Sequence, residues 1–109
     1  MSKEIRGPTY FVLATLAESK KHGYGIIQGV TELSRGHTLI KAGTLYAMLD
    51  RLVAEGLIEN AGHEIVAGRL RHYYQLTEEG INCLRQESRQ RLSVARATLG
   101  RLRLIGEMQ

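Results

Sequence analysis

The chain of 109 residues has a single cysteine, Cys83, and no tryptophan. One thiol cannot close an internal disulfide, which fits a reducing cytoplasm. No apolar run approaches the ~20 residues of a membrane span, and the start Met1-Ser2-Lys3-Glu4 lacks the features of a signal peptide. His22, His37, His63 and His72 follow no metal-ligand spacing, so no metal site is expected. Nucleophile–base pairs, phosphate loops and carboxylate clusters at meaningful spacing are missing too, which argues against an enzyme and implies no cofactor. Internal repeats and low-complexity stretches are absent.

What is present is a foldable, basic chain. A hydrophobic fraction of 43% excludes disorder, and the length suits one domain. A chain of this size hides only roughly 60–70% of its unfolded surface, so further burial against a partner is plausible. Net charge is +4 and the isoelectric point near 9.5. That is compatible with nucleic acid but weak on its own. The distribution says more: arginines cluster after position 68, while the acids are spread along the chain.

Pro8 suits a first helical position, and the run Phe11-Val12-Leu13-Ala14-Thr15-Leu16-Ala17 predicts a helix central to the core. A second helix follows Gly23, with Tyr24, Ile27, Val30 and Leu33 along its apolar stripe and Gly36 as its C-cap. Thr38-Leu39-Ile40 reads as a minor strand. In the third helix Leu45, Met48, Leu49, Leu52 and Val53 fall on one face, and Gly56 with Leu57 suits a left-handed cap. Strands are predicted over 57–65 and 69–76, turning near Ala67-Gly68. Thr77 is the expected N-cap of a last helix whose seam runs through Ile81, Leu84, Ser88, Leu92, Ala95, Leu99 and Leu102. Helical to residue 104, it spans about 40 Å. A compact domain of this size has a gyration radius near ~13 Å, so one copy cannot cover that seam. The expected class is mainly α with a small β-hairpin. A winged helix-turn-helix occupies 1–76 and a C-terminal dimerisation helix 77–109, together one structural unit.

The outward face of the third helix carries Gly43, Thr44, Ala47, Asp50 and Arg51. Small residues at its start let that end approach a major groove closely. Lys41 stands where a capping Ser, Thr or Asp is preferred; it opposes the helix dipole by roughly 0.3–1 kcal/mol, a cost that phosphate contact reverses. Arg69 and Arg71, at period two beside a hairpin turn, can clamp phosphates or enter a minor groove. The expected DNA-contacting set is Tyr24, Lys41, Gly43, Thr44, Tyr46, Ala47, Arg51, Arg69 and Arg71, with double-stranded DNA as partner. Of Tyr73 and Tyr74, one ring is expected inward and the other outward, within reach of phosphate. For each of these a bland reading exists: a solvated helix face, a solubilising edge strand, a core tyrosine. Only their order along one segment favours DNA. Arg85, Arg89, Arg91, Arg96, Arg101 and Arg103 give the last helix a basic face, read first as solvated or interface charge. Cys83 reads as a half-buried thiol.

Gly43-Thr44-Leu45-Tyr46, Glu55-Gly56-Leu57-Ile58 and the run from Gly68-Arg69-Leu70-Arg71-His72-Tyr73-Tyr74 through Gln75-Leu76-Thr77-Glu78-Glu79-Gly80 resemble the PadR family of bacterial winged-helix regulators. His22-Gly23-Tyr24-Gly25-Ile26-Ile27 is similar to that family's start of helix two. Two departures stand out: Lys41-Ala42 where the family often has Ser-Pro, and Leu70 where it often has proline. The resemblance implies a cytoplasmic homodimer held through Ile81, Leu84, Leu92, Ala95, Leu99 and Leu102, usually a repressor and often released by a small aromatic or drug-like effector. No tryptophan is present to stack a flat ligand. The competing reading is a winged-helix protein-interaction module that does not bind DNA.

Overall fold

The computed structural model describes residues 5–108; the Met1-Ser2-Lys3-Glu4 start lies outside them. Helix α1 (Pro8–Leu16) begins on Pro8, whose missing N–H costs nothing at a helix start. Val12 and Leu13 are fully buried, so this helix is the centre of the core as its composition predicts. A two-residue strand β1 (Lys21–His22) leads into α2 (Gly23–Leu33), α3 (Ala42–Ala54), β2 (Ile58–Val66), β3 (Arg69–Leu76) and α4 (Glu78–Met108). The antiparallel sheet has the order β1-β3-β2.

Several expectations are corrected. In α2 the buried residues are Gly23, Ile26 and Val30, whereas Tyr24 and Leu33 point outward. Ile26 and Ile27 are adjacent, so two helical registers fit the pattern and the other one won. Gly36 lies one residue beyond the expected cap. Arg35, at φ 53°, holds the left-handed position, with its N–H donating to the Glu32 carbonyl and that of Gly36 to Thr31. The segment Thr38-Leu39-Ile40 is no strand. Its backbone is tied instead to Ser34, whose Oγ accepts the Thr38 N–H at 3.0 Å.

The corner after α3 follows the sequence closely. Gly56, at φ 78°, donates to the Val53 carbonyl and Leu57 to the Leu52 carbonyl, the paired bonds of a Schellman cap. Ala67 and Gly68 both have positive φ, as a two-residue hairpin turn of matching twist requires. A bulge between Asn60 and His63 re-aims the outer part of the hairpin. Thr77 caps α4: its Oγ1 accepts the Gly80 N–H at 3.0 Å and donates to the Gly56 carbonyl at 2.6 Å.

Helix α4 has two halves with different surroundings. Leu84 is buried in its own subunit, which removes it from the expected uncovered seam. Ser88 Oγ meets the Tyr10 hydroxyl at 2.8 Å, and the Arg91 guanidinium lies 3.9 Å from the Tyr10 ring centre. From Leu92 onward the helix leaves the domain, with Leu92, Leu99, Leu102 and Ile105 all exposed. The gyration radius of 16.7 Å and the 62 Å long axis record that departure, against ~13 Å for a compact chain of this length.

A Cβ on Gly80 would stand 1.9 Å from the Leu57 carbonyl oxygen, whereas one on Gly100 meets nothing. Gly80→Ala should therefore lower the stability read from a urea titration by about 1–3 kcal/mol or more. Gly100→Ala should raise stability by roughly 0.5–1 kcal/mol. Equal effects of the two in a denaturant titration would contradict this packing.

Candidate nucleic-acid interface

The start of α3 is an uncapped helix end. Lys41 takes the N-cap position with extended backbone (φ −78°, ψ 150°), makes no side-chain cap bond, and no acid sits in the first turn. The first N–H groups thus face outward with the positive end of the helix dipole, the arrangement that receives anions. Lys41, Gly43, Thr44 and Ala47 are all exposed. Space around Gly43 is open.

Tyr46 links this end to α2. A Cβ on residue 23 would come within 2.7 Å of the Tyr46 hydroxyl, so Gly23 is what lets the ring lie across the α2 start. The ring remains half exposed, and Tyr24 beside it is more so. These two tyrosines, His22, Gly23, Arg69, Leu70, Arg71 and His72 line one cavity of about 470 Å³. The structure therefore brings the third helix and the wing arginines to the same side of the molecule. The cleft between them is walled by aromatic rings and by groups that are cationic or can become so.

His22 is a contributor that motif reading passed over. Burial, Arg71 and Lys21 hold its pKa below the usual histidine value, and Glu64 opposes them. The free protein therefore disfavours a further positive charge there, as expected of a histidine among cations. Its only sequence signal is its place before Gly23-Tyr24, because the strand that aims it is two residues long.

Other expected residues are placed differently. Arg51 is turned back on its own chain: Nη2 donates to Thr9 Oγ1 at 2.8 Å and Nε lies 3.6 Å from Glu55. Its role here is to tie α3 to α1. Tyr74 is the inward ring, and burial, with Asp50 and Tyr46 nearby, raises its pKa. Tyr73 is the outward one, yet its hydroxyl donates to Glu64 and its ring meets His22 edge-on at 5.5 Å. Glu64 thereby raises the Tyr73 pKa and occupies the hydroxyl that was expected to face phosphate. Among the described residues no group of three or more His, Cys, Asp or Glu could hold a metal ion, and no helix is long and apolar enough to cross a membrane.

This geometry matches known proteins. A transcriptional regulator of Mycobacterium tuberculosis, Rv3488, is 36% identical over 89 residues, spanning 82% of this chain and 79% of that protein. A PadR family regulator from Clostridium difficile superposes with a TM-score of 0.70 over 85% of this chain and 95% of its own, a likeness of fold at 24% identity. Bacillus subtilis PadR, solved in complex with operator DNA, gives a TM-score of 0.66 at 25% identity over 76% of this chain and 47% of that one. Residues 12–86 match the family described as Transcriptional regulator PadR-like family, from the middle of α1 through the first turns of α4. The chain belongs to that family of transcriptional regulators.

Proposed function

We propose that the protein binds duplex DNA as a homodimer and represses transcription, with the start of α3 in the major groove and Arg69 and Arg71 on the backbone or in the adjacent minor groove. The observation that carries this reading is the shared cleft of Tyr24, Tyr46, Arg69 and Arg71. An uncapped, outward-facing helix start and a wing with two arginines line one cleft, which favours a polyanion there. That Bacillus subtilis PadR was solved in complex with operator DNA supports DNA as the partner. Lys41, Gly43, Thr44 and Ala47 then face base edges and phosphates, while Arg51 holds the helix from behind.

The partner copy is argued from α4. Leu92, Leu99 and Leu102 are 50–65% exposed along one face of a helix projecting beyond its domain, with Ala95 between them. Ile81 lies at the base of that face and is 41% exposed. Leaving such a stripe in water forfeits roughly 25 cal/mol per Å² of apolar area that a second chain would cover. A cavity of about 550 Å³ between α1, β3 and α4, lined by Leu16, Lys20, Gln75, Leu76, Ile81 and Arg85, has the size of a small-effector site. A screen of aromatic and drug-like compounds that releases no DNA from the complex would remove the effector from this reading.

Two measurements test the core of it. Fluorescence anisotropy with duplex from upstream of its own gene should give binding that weakens steeply with salt. The double variant Arg69→Ala/Arg71→Ala should flatten the log–log salt slope by about 2, one unit per phosphate contact. Salt-independent or absent binding to every upstream fragment would sink the DNA assignment. Sedimentation should give about twice the 12.2 kDa chain mass. Leu99→Asp with Leu102→Asp should return the single-chain mass; a wild-type monomer at micromolar concentration would overturn the dimer.

A further inference from the structure

The outer wing carries an apolar pair that the fold does not use. Ile65 and Leu70 are cross-strand partners, so their side chains leave the ribbon on one face. They are 74% and 55% exposed. Strand β1 pairs only with Tyr73 and Tyr74, so the ribbon from the His63–His72 pair to the turn overhangs the third strand. Three residue steps separate that pair from the end of the strands, about 10 Å at ~3.4 Å per residue. A minor groove is about 7.5 Å deep, and Ile65–Leu70, two residue steps or about 7 Å beyond the His63–His72 pair, stand far enough out for their side chains to reach its floor.

The pair's face is the one turned toward α3. Leu70 lines the cleft with Tyr24 and Tyr46, and Ile65 shares its side of the ribbon. On the alternate positions Arg69 and Arg71 flank Leu70 in sequence and line the same cleft. An exposed hairpin is ordinarily blunted by charge at such positions. A cross-strand apolar pair would also steady the ribbon by about 0.2–1 kcal/mol, but that gain does not require both members to stand in solvent beside arginines.

We infer that Ile65 and Leu70 form a minor-groove reading pair. Arg69 and Arg71 draw the wing onto the phosphates, and the two apolar side chains lie against the groove floor, selecting A·T over G·C pairs beside each half-site. The selection is by exclusion. G·C differs from A·T there by the guanine 2-amino group, a donor that projects into the floor. Covering it with Leu and Ile leaves that donor without a partner and crowds the side chains, whereas A·T has no such group. The inference rests on the proposed DNA reading and adds to it a sequence preference that the arginines, which meet phosphate, do not supply.

The test uses duplexes recovered by the full-length protein from a randomised pool. Wild type should enrich A·T where the wing falls, and replacing those pairs with G·C should weaken binding about fivefold or more, within the range of one wrong base pair. Replacing them instead with inosine·C, which keeps the major-groove face of G·C and lacks the 2-amino group, should restore binding. Ile65→Thr/Leu70→Thr, which keeps a strand-forming residue at Ile65 and supplies one at Leu70, should bind all three duplexes alike. Failure of wild type to recover any duplex would overturn both the DNA reading and this inference. Recovery without the A·T preference, or without rescue by inosine, would overturn the inference alone. So would a preference that survives in Ile65→Thr/Leu70→Thr and vanishes in Arg69→Ala/Arg71→Ala, since groove width read by arginine then explains it. The inosine comparison needs no variant, so even with a misfolded mutant the inference falls if inosine·C fails to restore binding.

Discussion

The corner where α3 ends and α4 begins is the constraint on which the rest depends. Gly56 and Leu57 close α3, the Thr77 N–H donates to the Leu57 carbonyl at 3.1 Å, and the Thr77 hydroxyl donates to the Gly56 carbonyl. Strand β2 leaves this corner at Ile58 and β3 returns to it at Leu76. The recognition-helix end, both wing strands and the long helix are therefore fixed to one set of backbone bonds. Buried Leu57 and Ile58 seat that set in the core. Gly80 allows α4 to press against the Leu57 carbonyl where any side chain would collide. A loosened corner would let the wing and α3 move independently, and their common cleft would lose its shape.

That rigidity explains how a small set of side chains can present a defined surface. The cleft is not assembled by strong pairwise bonds. Tyr46 lies across Gly23, and residues 69–72 of a ribbon re-aimed by its bulge line the other wall. Burial first, then Arg71 and Lys21, lower the His22 pKa there, with Glu64 opposing them. Glu64, across the strands from Arg71, offsets part of the positive charge on this side of the wing. Where the chain does pair its cations, as at Arg51 with Thr9 and Glu55, the residue serves packing.

The legible parts of the fold were those set by local chemistry. Pro8, the Gly56-Leu57 cap, the Ala67-Gly68 turn and the Thr77 cap each follow from one residue's backbone preference. The apolar face of α3 follows from spacing within thirteen residues. Long-range geometry was not legible. Nothing adjacent to Arg51 announces Thr9, nothing near Leu84 says that the seam's second member faces inward, and the two-residue β1 depends wholly on its pairing with Tyr73 and Tyr74. In α2 the neighbouring isoleucines left the register open, and contact with α1 and α3 decided it. Of the candidate site, the residue types and their order were readable. Their convergence on one cleft, and the role of His22 in it, came from the fold.

Helix α4 joins these arguments. Its first turns belong to the domain through Leu84, Ser88 and Arg91, so its direction is set by α1 and by the corner. Its outer half offers another molecule mostly apolar and arginine side chains, with Ser93, Thr98 and Glu107 among them. In the proposed dimer the distance between two recognition helices is then fixed by the angle at which α4 leaves the domain. For half-sites one turn apart that distance is about 34–36 Å. Among the described residues, the Tyr10–Arg91 stack and the Tyr10–Ser88 hydrogen bond hold α4 to α1 just before its exposed outer half, as a fulcrum would. A ligand in the neighbouring cavity, between α1 and α4, would press on that fulcrum without touching the DNA face. A small tilt there is multiplied along the helix, so in the proposed dimer it would change the distance between the two α3 helices.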